Sequence, residues 1–193
     1  MEKIETFNKE YTYFRNEKYV ENIKKLVNIL PDYFFEVPAS STGKYHPSYA
    51  LNNGGLVRHT KAAVKIANDL LNNEAMGHSF NELEKDLILM ALMLHDGLKS
   101  GMEKSEYTKF DHPLLVCQYI KDNQKITTLS DGEIKLICNM IESHMGQWNT
   151  NNYSNVTLPK PSNKYQRFVH MCDYLASRKY LEVPFNENND IIE

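Results

Sequence analysis

Apolar residues recur at spacings of three and four along most of the chain, and polar stretches divide them into segments of helical length. Glu17 to Leu30 reads as a helix stopped by Pro31. Leu56 to Leu71 places Leu56, Ala63, Ile66, Ala67 and Leu70 on one face. Asn81, with Glu84 three positions on, caps a helix that runs through an unbroken apolar stretch to Asp96. His112 to Lys121 opens with Pro113 in its first turn. Ser130 and Glu133 form a second capping box, for a helix reaching about Met145, and a last helix covers Asn163 to Tyr180. No segment alternates as a strand does. The pattern predicts an all-α, single-domain bundle of about six helices. Residues 1–30 are expected to form a helical segment packing on the core, 31–182 the main domain and 183–193 a loose acidic tail after Pro184.

Between the first two helices lies a long loop, residues 31–55, with five aromatic side chains. Loops of that length within a domain are usually functional or disordered, and the aromatics favour function. Its "ASSTGKY" is not a P-loop, since Pro38 and Tyr45 stand where glycine and Ser or Thr are required.

The 193 residues carry a net charge of −3. No basic footprint for a duplex grip results, although a nucleotide or strand end in a small pocket stays open. No apolar run approaches the ~20 residues of a membrane span. No charged-then-apolar leader opens the chain, so a cytoplasmic location is expected. Cys117, Cys138 and Cys172 are far apart and read as reduced, buried helix residues.

The candidate chemistry comes from where histidine and aspartate fall on the apolar faces. His59 shares the face of Leu56, Ala63 and Ile66. His144 continues Ile134, Ile137 and Ile141, and Asp173 lies among Val169, Cys172 and Ala176. His95 and Asp96 end the apolar helix, and His112 begins its own. Any one of these alone reads as a satisfied core residue. Several helices each sending imidazole or carboxylate inward would make a costly core unless a buried cation is shared among them. Gly97, in a left-handed conformation, is expected to end the helix so that His95 and Asp96 converge, beside the negative end of its dipole.

These residues resemble the HD superfamily of metal-dependent phosphohydrolases. The family order His…His-Asp…His…His…Asp is matched by His59, His95-Asp96, His112, His144 and Asp173, and "HDGLK" matches its HD-x-x-K with Lys99. "GGLVRHT" and "CDYLASR" are similar to the family's flanks of the first histidine and last aspartate. Gly-Leu replaces the commoner hydrophobic-then-glycine after the dipeptide and leaves the lysine in register.

The resemblance implies a helical bundle. One metal would be held by His59, His95, Asp96 and Asp173, and a second by His112 and His144 with Asp96 bridging. Imidazoles and carboxylates without thiolate suit Mn, Fe, Co or Zn better than Mg. The implied reaction is cleavage of a phosphoester in a nucleotide or nucleic-acid 3′ end by metal-activated hydroxide, with Asp96 and Lys99 catalytic. Lys44, Tyr45 and His46 are candidate substrate contacts, with Tyr45, His46 or Tyr49 available for base stacking. Trp148 is a candidate pocket wall, and Arg178 either reaches the pocket rim or is solvated. His78 and His170 read as structural or solvated. Two alternatives use the same ligand set: an oxygen-activating di-iron enzyme, and a metal-containing nucleotide-binding module without turnover.

Overall fold

Every residue from Leu87 to Leu94 is buried, and the other helices are arranged around that stretch. The computed structural model describes residues 2–40 and 42–192; Met1, Glu193 and Ser41, which fall in the expected N-terminal segment, tail and long loop, lie outside the described residues. Among those described there are eight α-helices and no strand beyond one isolated bridge: α1 (Asn8–Tyr11), α2 (Glu17–Asn28), α3 (Gly55–Asn72), α4 (Glu74–Gly77), α5 (Glu82–Leu94), α6 (His112–Asp122), α7 (Asp131–Glu142) and α8 (Lys164–Ala176). Six have eleven residues or more, and α1 and α4 are single turns. α3 packs mainly on α8 and α5, and α7 on α5 and α6, so α5 is the central helix. Its lack of an apolar stripe follows, since all its sides meet protein. No helix is long and apolar enough to cross a membrane among the described residues.

The helix starts follow local chemistry. The Asn81–Glu84 and Ser130–Glu133 boxes both form, and a third joins Asn163 to Gln166. Glu133 does more than cap α7. Its carboxylate accepts from Lys18 Nζ at 2.8 Å and Tyr19 OH at 2.5 Å, tying α7 to α2. Burial pushes this carboxyl up, but the bonds from Lys18, Tyr19 and Ser130 outweigh it and hold the group down to about 2. Glu133→Gln is expected to cost about 1–3 kcal/mol in urea unfolding at neutral pH. A group with a depressed folded pKa stabilises above its unfolded value and loses that contribution as pH falls. The deficit of the variant should therefore shrink between the ordinary value of 4.5 and about 2.

Several expectations change. Gly97 is not left-handed; the positive φ in this region belongs to Gly101, at 96°. A Cβ on Gly97 would meet Leu30 Cδ2 at 2.8 Å and Val116 Cγ2 at 3.3 Å, so a side chain there would have to displace Leu30, and glycine serves close packing. α5 itself ends at Leu94, α7 at Glu142 rather than about Met145, and α8 at Ala176 rather than Tyr180.

The acidic tail is not loose. Phe185 bridges Ile191, Arg58 Nη1 donates to Asn189 Oδ1 at 2.6 Å, and Lys61 Nζ meets Asp190 Oδ1 at 2.9 Å. Lys9 Nζ donates to Ile191 O, so both ends of the described chain meet on α3.

Candidate metal centre

His59 enters from the first turns of α3, Asp173 from the last part of α8, and His112 from the start of α6. His95 and Asp96 lie just past α5, where the backbone closes tight turns from Gly97 N to Leu94 O and from Lys99 N to Asp96 O. His144 lies just past α7. Turns at the ends of α5 and α7 let neighbouring side chains converge that a continuing helix would splay by about 100°.

The six side chains meet around the Asp96 carboxylate, whose two oxygens face different partners. Oδ2 is 3.6 Å from His95 Nε2 and 3.9 Å from His59 Nε2. Asp173 Oδ1 completes that half, 3.0 Å from His59 Nε2 and 3.5 Å from His95 Nε2. Oδ1 of Asp96 faces the other half, 3.0 Å from His112 Nε2 and 3.7 Å from His144 Nε2. The ligand atoms of His59, His95 and Asp173, and those of His95, Asp96 and His144, form two groups that could hold a metal ion.

The ring orientations are fixed from behind. Nδ1 of His95 donates to Leu92 O at 2.6 Å, Nδ1 of His112 to Lys109 O at 2.7 Å and Nδ1 of His144 to Ile141 O at 2.8 Å. A carbonyl accepts only from N–H, so the neutral rings carry their lone pairs on Nε2, facing the cluster. Nε2 of His112 and Nε2 of His144 are then 3.3 Å apart. Two lone pairs so placed repel unless a proton or a cation lies between them. His95 Nε2 and Asp96 Oδ1 are buried without a hydrogen bond of good geometry, despite the nearby oxygens and nitrogens. Orphaned acceptors of this kind are costly in a core and are what a cation relieves. The donor set fits a divalent ion.

Electrostatics focus on the two carboxylates. Burial pushes Asp96 up, but the charges of Lys99 and His95 beside it hold it well below the usual carboxylate range. Asp173 is held low against the same penalty by His59 and His95. His95 is pulled down by burial and raised on balance by Asp96 and Asp173, whereas burial outweighs Asp96 and, with Lys99 nearby, leaves His112 lowered.

The other candidates divide. Lys99 Nζ contacts Asp96 Oδ2 at 2.5 Å. It also lines a surface groove of about 420 Å³ with Glu36, Asn52, Asn53, Lys104 and Thr108. Tyr33 fixes the turn after it, accepting from Ser100 N and donating to Gly101 O. His46 is brought to the cluster, its ring 5.6 Å from that of His59, with Nδ1 buried and unpartnered. Burial first, then His59 and Lys99, push it down to about 3.

Lys44 and Tyr45 are not brought there. Both are exposed, and the Lys44 ammonium lies over the Tyr45 ring. Tyr49 is buried with its hydroxyl on Ala176 O, so it cannot stack on a base. His78 is solvated near α4, bonding Ala75 O.

His170 has a larger part than its off-face position implied. Its Nδ1 donates to His144 O at 2.7 Å and so holds the turn that presents His144. Gly146 makes room for it, because a Cβ there would sit 2.1 Å from the His170 ring. Only the tertiary contact carries this signal. Arg178 lies past the end of α8, with its guanidinium carbon 4.2 Å over the Tyr174 ring.

A family model described as HD domain matches residues 56–178, a span that includes all six converging side chains. Comparison with the curated proteins and with the solved structures gave no match.

Proposed function

The chain belongs to the HD-domain family of metal-dependent hydrolases, and on that premise we propose that it cleaves a phosphoester bond in a nucleotide or a nucleic-acid 3′ end. The observation that carries this reading is the Asp96 carboxylate, with Oδ2 turned to His59, His95 and Lys99 and Oδ1 to His112 and His144. His59, His95, Asp96 and Asp173 would hold one divalent ion, and Asp96, His112 and His144 a second. Such ions supply Lewis acidity and lower the pKa of water to near neutrality.

The chain's own groups do the rest. The carbonyls of Leu92, Lys109 and Ile141 hold three imidazoles in one tautomer, so the donor set needs no rearrangement when substrate arrives. Lys99 sets its ammonium against Asp96, where a phosphoryl oxygen gaining charge would be stabilised. His46 covers His59 and excludes water from that side, and its unpartnered Nδ1 is available to the phosphoryl group.

The test is a panel of Mn²⁺-loaded protein against bis-p-nitrophenyl phosphate, nucleoside mono- and triphosphates, cyclic dinucleotides and short RNA. Phosphate release or strand shortening is expected. Silence across the panel with metal bound overturns the reading, and oxygen uptake by iron-loaded protein would replace it with the oxidative one. His112→Ala and His144→Ala are each expected to lose one metal equivalent of two, read by elemental analysis. Full metal content in both variants refutes the second half-site.

A further inference from the structure

Trp148 is the chain's one tryptophan, and it is 44% exposed. A bulky apolar ring left in water is worth explaining. Its ring stacks on Tyr174 at 5.9 Å and 17° between planes. The Arg178 guanidinium carbon lies 4.2 Å from the Tyr174 centroid and 5.7 Å from that of Trp148. Arg178 is held there by Nε donating to Tyr174 O and Nη2 to Ser177 Oγ. His170 flanks the same tyrosine, with ring centroids 6.0 Å apart, while bonding His144 O. Two aromatic rings and a cation are thus braced as a unit by the elements that carry His144 and Asp173.

The place of this unit is as informative as its chemistry. Of the six converging side chains, Asp173 has the greatest exposure, 17% against 2% or less for the others. The cluster therefore opens on its side, and Tyr174, the residue after Asp173 on α8, is tied to the cluster's other half through His170, which flanks its ring and bonds the carbonyl of His144. Stacked aromatics with an arginine accept any nucleobase, because every base has a π-face and the cation adds to the attraction.

We propose that Trp148, Tyr174 and Arg178 form a nucleobase platform at the rim of the metal centre, which makes the substrate a nucleotide or a single-strand end rather than a sugar phosphate or other base-free ester. The proposal rests on the phosphohydrolase reading for where the phosphate lies, and the platform itself is tested without turnover.

Because Trp148 is the chain's one indole, its fluorescence reports the platform directly. The full chain as purified is titrated with adenosine 5′-monophosphate, a short oligoadenylate and ribose 5-phosphate, with excitation at the red edge of indole absorption. Saturable quenching by the adenine compounds, and none by ribose 5-phosphate, is expected. Saturation by the mononucleotide marks a free nucleotide as the ligand; quenching by the oligoadenylate alone marks a strand end. Arg178→Ala and Tyr174→Leu should each weaken the adenine titration about tenfold, and Arg178→Ala, at a partly exposed position past α8, leaves the helices intact. Equal quenching by ribose 5-phosphate, no saturable quenching by either adenine compound, or unchanged titration in both variants overturns the platform. Phosphate release without quenching sinks the platform alone, whereas quenching without hydrolysis of any phosphoester sinks only the phosphohydrolase reading.

Discussion

Asp96→Asn is expected to remove activity by on the order of a thousandfold or more while leaving the helical circular dichroism unchanged. The substitution keeps the volume and removes the charge. Its amide cannot present an anionic oxygen to both halves of the cluster, where the carboxylate now faces four imidazoles and Lys99. Divalent metal content should fall in both halves together, unlike the single losses expected for His112→Ala and His144→Ala. Elemental analysis and turnover are measured on the same preparation. Normal metal stoichiometry with retained turnover would show that the carboxylate is not the hub of this site.

The second large effect is on stability. Lys61 and Glu10 are 1% and 0% exposed, and Lys61 Nζ lies 3.8 Å from Glu10 Oε2 and 2.9 Å from Asp190 Oδ1. Neither Glu10 oxygen has a hydrogen bond. Burial raises the Glu10 carboxyl above its ordinary value of 4.5, and Lys61 is the main force opposing that rise. Lys61→Met removes the cation and leaves the carboxylate buried alone, at a cost of about 3–5 kcal/mol in urea unfolding. With the folded pKa raised further, the protonated form is the tolerated one. Stability is then retained below 4.5 and lost as pH rises through the folded value, so the deficit grows from acid to neutral pH. Pairing Lys61→Met with Glu10→Leu should recover much of the loss, since no unpaired charge remains. An unchanged midpoint in the single variant would mean that Lys61 does not neutralise Glu10.

What could be read from the sequence was local or periodic. The Asn81 and Ser130 boxes depend on residues three apart, and both form. The inward direction of His59, Asp173 and His144 follows from a spacing of three and four on apolar faces, and all three side chains meet in the structure. What could not be read depends on partners far along the chain. Gly97 serves packing against Leu30 and Val116, and nothing adjacent to it announces either. The hold on the tail depends on Arg58, Lys61 and Lys9, with Phe185 and Ile191 packed inward, and none of these contacts follows from a helical spacing within the tail. Periodicity gives no signal for Tyr174, which neighbours Asp173 on the helix and so points off the apolar face. Lys44 and Tyr45 are suited to a substrate by residue type alone, and residue type carries no information about which way a loop folds.

The contact between His59 and Asp173 spans 114 positions, and those between Lys9 and Ile191 and between Lys61 and Asp190 span 182 and 129. During synthesis the N-terminal part of such a chain waits for its last helix, with His59, His95, His112 and His144 already made and one carboxylate missing. Loops of this size close slowly. The donor set is therefore completed only when α8, the last helix to be made, docks on α3.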